Sequence, residues 1–418
     1  MNSQAKCAIV LAVFLAKDSM FELIPSGTIT SAKGFLAGAI HAGIKIENEL
    51  DLAVLYSKLP CAAVGVFTTN KIKSPPVILS QKRLSTKQAQ AIVVNSGCAN
   101  TCLGQQGTAD ASEMTNLTAK KLGVGTENVL VASTGIIGTP LPMDCVRNGI
   151  EKIMLRQNGG HGFARAIMTT DTKPKEIALK VDVEGGKFTI AGVAKGAGMI
   201  HPNLATMLCF ISTDALVNAD FLQSSLQRAV DTSFNMISID GDTSPSDSVF
   251  LLANGLAGNE MLRFDNGKTF QEALDELCVY LAKSMVRDGE GATKLIEVTV
   301  EGAVKHAQAR QAARAIASST LVKTTIHGNE PNWGRIVVAL GQSGVEIAEG
   351  KLDLYLNSTC AMKQGCPLSF NQEKMRATLS ASDSALIKVC LNLGEGKATA
   401  WGCDLSEEYV TINSKHTT

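Results

Sequence analysis

The residues with the most chemical promise lie in AKGAGMIHPNLATMLCFIST (194–213). A glycine-rich approach runs into Pro202 and Asn203, then a small residue, Ala205, then Thr206 and an apolar run. That order suits a threonine at a strand start whose preceding peptide bond can be strained. Attack of its hydroxyl on its own upstream carbonyl, an N→O acyl shift, would cut the chain between Ala205 and Thr206. The freed α-amine has an ordinary pKa near ~8. It can accept the hydroxyl proton near neutral pH and so activate the nucleophile without a histidine. A chain with only six histidines, none in a triad-like pattern, could run nucleophilic chemistry this way. By residue type alone, a threonine opening a strand is more often β-branched filler.

A second segment is VASTGIIGTPLP (131–142). A strand ends in Ser133-Thr134-Gly135, where glycine lets backbone approach a substrate. An adjacent N–H and the Thr134 hydroxyl could stabilise an oxyanion. An ordinary glycine turn is the plainer alternative, and TGIIG lacks the spacing of a dinucleotide site. A third segment, IDGDTSPSDS (239–248), imitates a calcium loop. Counted from Asp240 it lacks the glycine at position six, and Leu251 stands where the glutamate belongs. It reads instead as a turn rich in side-chain-to-backbone hydrogen bonds. MTTDTKPKE (168–176), RDGEGATK (287–294), HGNEPNWGRI (327–336) and the final INSKHTT are polar and turn-rich, fitting a site lining or surface loops.

Elements must position these segments. Apolar alternation marks strands at 61–67, 91–95 and 128–134, with a helix over 109–123 ended by Gly123. Residues 139–143 read as a turn. KVDVEGGKFTIAGVAKG reads as a hairpin about Gly185-Gly186 that delivers the chain to Lys195. After Thr206, MLCFIST is a buried strand. Residues 219–231 and 269–287 are amphipathic helices, the second with Leu274, Leu277, Leu281 and Met285 on one face. LIEVTVEGA (295–303) is a strand and 307–319 an alanine-rich helix. GRIVVALG (334–341) reads as a strand and turn, and 385–405 as a hairpin turning at Gly394–Gly396. Strands and helices mix without a regular βαβ period, so the fold is α/β with mixed sheets packed with helices. A smaller α+β lobe is expected from about 295.

Composition narrows the function classes. Thirty-nine basic residues balance thirty-nine acidic ones, and aromatics are 5%, so no nucleic-acid surface is indicated. Eleven cysteines are scattered without a CxxC pair or a histidine cluster, which argues against a zinc site and for free thiols in a reducing cytoplasm. The apolar run at 7–16 is too short to span a bilayer. Residues 1–19 read as an extension ahead of a second plausible start, Met20, so no membrane partner is expected.

Taken in order, KGFLAGAIHAGIK, FTTN (67–70), NSGCAN (95–100), STGIIG, MTTDT, KGAGMIHPNLATML, DGDTS, RDGEGATK, PNWGRI and AWGCDLSEEYVTIN resemble the ornithine acetyltransferase / glutamate N-acetyltransferase family of arginine biosynthesis. The resemblance covers nearly the whole chain from about Gly34. It implies a self-cleaving fold with an N-terminal threonine. The α chain would be 20–205 and the β chain 206–418, with Thr206 as nucleophile and Thr134 and Gly135 as oxyanion hole. It further implies that Thr172, Lys195, Glu290, Asn413 and Thr418 hold the amino-acid substrate, the C-terminal tail returning to the site. Lys195 and Thr172 suit a dicarboxylate, and Glu290 suits the ammonium of ornithine. The implied reaction moves acetyl from N2-acetylornithine to glutamate through an acetyl-Thr206 ester. No cofactor or metal is implied, acetyl-CoA is a possible co-substrate, and the fragments would assemble as α2β2. Departures stand at Pro245-Ser246, Glu330 and Ser414-Lys415-His416, the last beside two substrate-contact candidates. Two alternatives stay open. One is a monofunctional ornithine acetyltransferase. The other is a self-processing amidohydrolase or aminopeptidase, against which the Lys195, Glu290 and Asn413 set argues.

Overall fold

A computed structural model describes residues 21–45, 48–201 and 207–415. The expected extension over 1–19, the Ala205–Thr206 junction, and Thr418 lie outside the described residues.

Among the described residues, one sheet has nine strands. Its path runs Phe21–Leu23, Lys175–Val183, Gly186–Lys195, Leu208–Thr213, Ser248–Ala253, Leu52–Phe67, Gln88–Asn95, Val129–Ser133. Phe35–Ile40 pairs with Leu52–Phe67 off this path. The long strand Leu52–Phe67 joins two halves. Its first part pairs with Phe35–Ile40 and Gln88–Asn95, and its last part with Ser248–Ala253. Between Tyr56 and Cys61 the register slips, and Pro60, which has no N–H to lose, stands inside the slip.

The halves face one another. Leu55, Ile92, Val94 and Leu130 from one share an apolar cluster with Leu208, Phe210, Phe250 and Leu252 from the other. Intervening residues on the same strands point outward. Val93, Val129 and Val131 meet the helices Gly104–Leu122 and Met143–Lys152. Cys209, Ile211, Val249 and Leu251 join a cluster with the helices Ala219–Thr232 and Lys268–Arg287. The result is helix, sheet, sheet, helix. Residues 91–95 and 129–133 are continuous buried runs rather than the alternating strands expected, because both faces of these strands are covered. Leu274, Leu277, Leu281 and Met285 are all fully buried, as their spacing requires.

The second sheet has seven strands: Cys366–Pro367, Thr359–Lys363, Asp353–Leu356, Ser384–Cys390, Leu295–Ala303, Gly396–Cys403 and Ile237–Ser238. Its helix His306–Ser318 buries Ala309, Ala312, Ala313 and Ile316. Two local expectations are corrected here. Residues 385–405 do not form a hairpin, because Leu295–Ala303 lies between the two arms, parallel to one and antiparallel to the other. The connecting turn instead wraps the end of that middle strand, with the Leu393 and Gly394 N–H groups donating to the Gly302 carbonyl at 2.7 and 2.9 Å. Residues 334–341 are not a strand but part of the helix Trp333–Gly341. Ile336, Ala339 and Leu340 are buried while Val338 is exposed, a helical face rather than an alternating one.

Phe210 sits between the facing half-sheets, 5.1 Å from Phe163 and 5.7 Å from Phe250 between ring centroids. Phe210→Ala should cost about 3–5 kcal/mol, read from the urea midpoint. A loss under about 1 kcal/mol would mean the layers are not held together here.

Candidate active site

Lys195 ends its strand and is the register partner of Leu208 on the neighbouring antiparallel strand. Its side chain is 2% exposed, so its ammonium must be satisfied by protein or ligand. Nζ donates to Thr169 Oγ1 at 2.7 Å and to Thr134 Oγ1 at 3.4 Å. Thr134 comes from the opposite half-sheet, immediately after Val129–Ser133. The two residues meet because the half-sheets are stacked.

The turn at Thr134 is tightly fixed. The Ser133 hydroxyl donates to Asn95 Oδ1 at 2.6 Å, and the Thr134 and Ile136 N–H groups donate to the Asn95 and Gly97 carbonyls, each at 3.1 Å. Gly135 has φ 126, and a Cβ there would collide with the Gly97 carbonyl carbon. Only glycine fits. With its neighbours' amides committed, this loop can offer two donors to a ligand, the Gly135 N–H and the Thr134 hydroxyl. Because Lys195 donates to Thr134 Oγ1, the threonine hydrogen is free to turn into the cleft. Two donors converging at a loop is the arrangement an oxyanion needs.

Behind this lies a knot of buried charge. Lys175 Nζ pairs with Asp171, and with Asp288 Oδ2 at 2.6 Å. Asp171 also accepts the Gly196 N–H at 2.7 Å and the Thr169 N–H at 3.0 Å. Burial acts to raise the Asp171 carboxyl, but Lys175, Lys195 and the Gly196 N–H hold it down to about 2. Burial also pulls the Lys195 ammonium below its ordinary value, with Asp171 opposing.

Glu290 and Asn413 close the other side. The Glu290 N–H donates to the Ala197 carbonyl at 2.8 Å, and its carboxylate accepts from Asn413 Nδ2 at 2.7 Å. A Cβ on Gly198 would press on that carboxylate. Asn413 arrives on the helix Glu407–Lys415, which is anchored by Tyr409 OH to Asp240 at 3.2 Å and Ser406 Oγ to the Gly291 carbonyl at 2.6 Å.

Thr134, Gly135, Lys195, Glu290 and Asn413 therefore line one cleft. Among the described residues its cation, Lys195, and its anion, Glu290, stand on different elements. Thr172 is placed differently: its N–H donates to Asp288 Oδ2 at 3.1 Å and its hydroxyl donates to Asp288 Oδ1, behind the cleft wall. Thr169 and Thr170 line the cleft instead. Ala205, Thr206 and Thr418 lie outside the described residues. Sequence reasoning missed Thr169, the Lys175 knot, and the Ser244–Ser246 stretch that also lines the cleft. The available signal was threonine and charge packed into MTTDTKPK, a density that a surface loop does not need. Among the described residues, no cluster of three metal-ligating side chains occurs, all cysteines are free thiols, and no helix is long and apolar enough to cross a membrane.

The ArgJ family model matches residues 36–418. The arginine biosynthesis bifunctional protein ArgJ of Dehalococcoides mccartyi is 52% identical over 404 residues, covering 96% of this chain and 100% of that protein. Its counterpart in Symbiobacterium thermophilum is 48% identical over 399 residues, covering 94% and 99%. A crystal structure of the Bacillus halodurans ArgJ protein is 42% identical, with a TM-score of 0.48, covering 49% of this chain and 97% of that one.

The knot has a pH signature. A carboxyl held at about 2 stabilises the fold fully above its unfolded pKa near ~4, and that stability is lost as pH falls through the folded value. Lys175→Met leaves two buried carboxylates without their cation and should cost about 3–5 kcal/mol at neutral pH. The deficit should shrink as pH drops from about 4 towards 2. Urea midpoints measured across that range check this; a deficit independent of pH would contradict it.

Proposed function

This chain belongs to the ArgJ family and is an acetyltransferase of arginine biosynthesis, and we propose that it works by cutting itself ahead of Thr206 and carrying acetyl on that residue. The observation that supports this most is the convergence of Thr134, Gly135, Lys195, Glu290 and Asn413 in one cleft, with Lys195 in register with Leu208, close in sequence to Thr206.

In the self-cleavage, the Thr206 oxygen bonds to the Ala205 carbonyl carbon, the peptide C–N bond breaks, and the hydroxyl proton passes to the nitrogen. Water then hydrolyses the ester, leaving an Ala205 carboxylate and a free Thr206 hydroxyl and amine. In the transfer cycle the amine takes the hydroxyl proton and Thr206 attacks the acetyl carbonyl of N2-acetylornithine. The Thr134 hydroxyl and Gly135 N–H receive the developing oxyanion, an interaction on the order of 3 kcal/mol per donor. Ornithine leaves with the proton, and glutamate's α-amine attacks the acetyl-Thr206 ester. Lys195 and Glu290 give the bound amino acid a cation and an anion to align against. Asn413, donating to Glu290, sets the direction of that carboxylate. Thr172 enters through Asp288.

The bifunctional name of the relatives supports a second donor, acetyl-CoA. Free thiols throughout the described residues support a reducing, cytoplasmic setting. The two fragments remain associated, as α2β2. An amidohydrolase would not need a cleft with opposite charges held for an acceptor amino acid.

Thr206→Ala should run as one full-length band on a denaturing gel and transfer no acetyl, whereas the native chain runs as two. Assays with N2-acetylornithine and with acetyl-CoA, each with glutamate, should both yield N-acetylglutamate; activity with the first alone would make the enzyme monofunctional. Lys195 acts only while protonated, and its pKa is lowered by burial. The alkaline limb of kcat/KM should therefore fall below pH 10.5, and Lys195→Arg, charged throughout, should move that limb upward in whatever activity it retains. An unmoved limb would assign it to another group.

A further inference from the structure

The segment carrying Ala205 and Thr206 enters after His201 and leaves at Met207. Both flanks are held by one stretch of chain, the aspartate-rich segment first read as a turn. On the entry side, Asp240 accepts the Met199 N–H at 2.6 Å and the Ile200 N–H at 2.9 Å, and the Ile239 N–H donates back to the Ile200 carbonyl at 2.7 Å. On the exit side, Asp247 Oδ1 accepts the Met207 N–H at 2.9 Å, and the Ser248 N–H donates back to the Met207 carbonyl at 3.2 Å. Ile200 and Met207 are thus each gripped by a carboxylate on the N–H and a backbone amide on the C=O. Met199 is held at φ 55, a conformation rare for a residue with a side chain.

The gripping segment is itself braced. The Thr68 hydroxyl donates to the Ser244 carbonyl at 2.7 Å, the Thr68 N–H to the Asp247 carbonyl at 3.1 Å, and the Ser74 N–H to the Pro245 carbonyl at 3.0 Å. Asn70 Nδ2 donates to the Thr243 carbonyl at 3.3 Å. This gives FTTN (67–70) a role that the cleft does not. Asp247 is 1% exposed. Burial pushes its carboxyl well up, and that of Asp240 upward too, so neither is placed there for its own stability.

We propose that Asp240 and Asp247 are positioning residues for self-cleavage, a two-point clamp that fixes the chain on either side of the 205–206 bond so that the acyl shift can occur. The proposal rests on the self-cleavage reading above. Neither aspartate forms or breaks a bond. Each supplies a fixed acceptor that shortens the search for a reactive geometry.

The test follows splitting of the full chain over time after synthesis in a cell-free system, on denaturing gels, with thermal melting of each purified variant. Asp247→Asn keeps the one oxygen that accepts the Met207 N–H and should split within a few-fold of the native rate, whereas Asp240→Asn keeps only one of two accepting oxygens and should fall between the native chain and the alanine variant. Asp247→Ala removes that acceptor and should split on the order of tenfold slower, the equivalent of one lost hydrogen bond to an amide, and Asp240→Ala, which removes two such bonds, should be slower still. Leu354→Ala, in the core of the second sheet, serves as a stability control and should split at the native rate despite a lower melting temperature. A folded alanine variant that splits as fast as the native chain overturns the clamp, as does equal slowing in Leu354→Ala. Should the alanine variants not fold, Asp247→Asn decides: a folded Asp247→Asn chain that fails to split overturns it, because the acceptor it keeps would then be insufficient. A native chain that stays in one piece overturns the self-cleavage reading itself, a result distinct from all of these.

Discussion

A lysine buried between two carboxylates is the interaction on which this site most depends. Lys175 lies at the start of one strand and reaches Asp171 in the preceding loop and Asp288 just after the long helix Lys268–Arg287. Taking three charges out of water is tolerable only when every one has a partner. The cluster is therefore close to all-or-none, and each group holds something the cleft uses. Asp171 holds the Gly196 amide, next to Lys195, and the Thr169 amide, whose side chain receives Lys195. Asp288 holds Thr172 and sits two residues before Glu290. One ionic knot thus sets the spacing between the cleft's cation and its anion.

The same economy of position recurs in the sheet. Lys195 ends the third strand of the eight-strand path and Thr134 follows the last, so in a flat sheet they would be far apart. The slip in Leu52–Phe67 lets the halves stack, and alternate side chains on each strand then serve two different cores. The Thr134–Gly135 loop and the lysine meet across that stack. Tight packing of the layers makes their meeting rigid, which is what a site acting through fixed dipoles requires.

Much of this was legible in the sequence, for identifiable reasons. Strand cores and amphipathic helices follow from local periodicity, and the segments carrying Thr134, Lys195 and Glu290 stood out as glycine-rich or charge-rich breaks in it. Pairing was less legible. The arms of 385–405 look like a hairpin because nothing local reveals that Leu295–Ala303 inserts between them. IVVAL in 334–341 is short enough to suit either a strand or a helix, and tertiary burial chose the helix. The family resemblance gives Thr172 a substrate contact, and in this structure its hydroxyl donates to Asp288, a residue more than a hundred positions away. Side-chain direction of that kind is set by long-range partners that composition cannot reveal. The aspartates at 240 and 247 were visible as a cluster, but their function lies in backbone amides on either side of another segment.

The transfer cycle turns on where the acetyl group rests between donor and acceptor. Brief mixing of the mature enzyme with N2-acetylornithine in the absence of glutamate, acid quenching, and mass spectrometry of the digested 206–418 fragment addresses that directly. A mass gain of one acetyl group is expected on the peptide beginning at Thr206, as a hydroxylamine-sensitive ester that disappears when glutamate is added before the quench. An unmodified Thr206 peptide under turnover conditions, or acetyl found on another side chain, would contradict it.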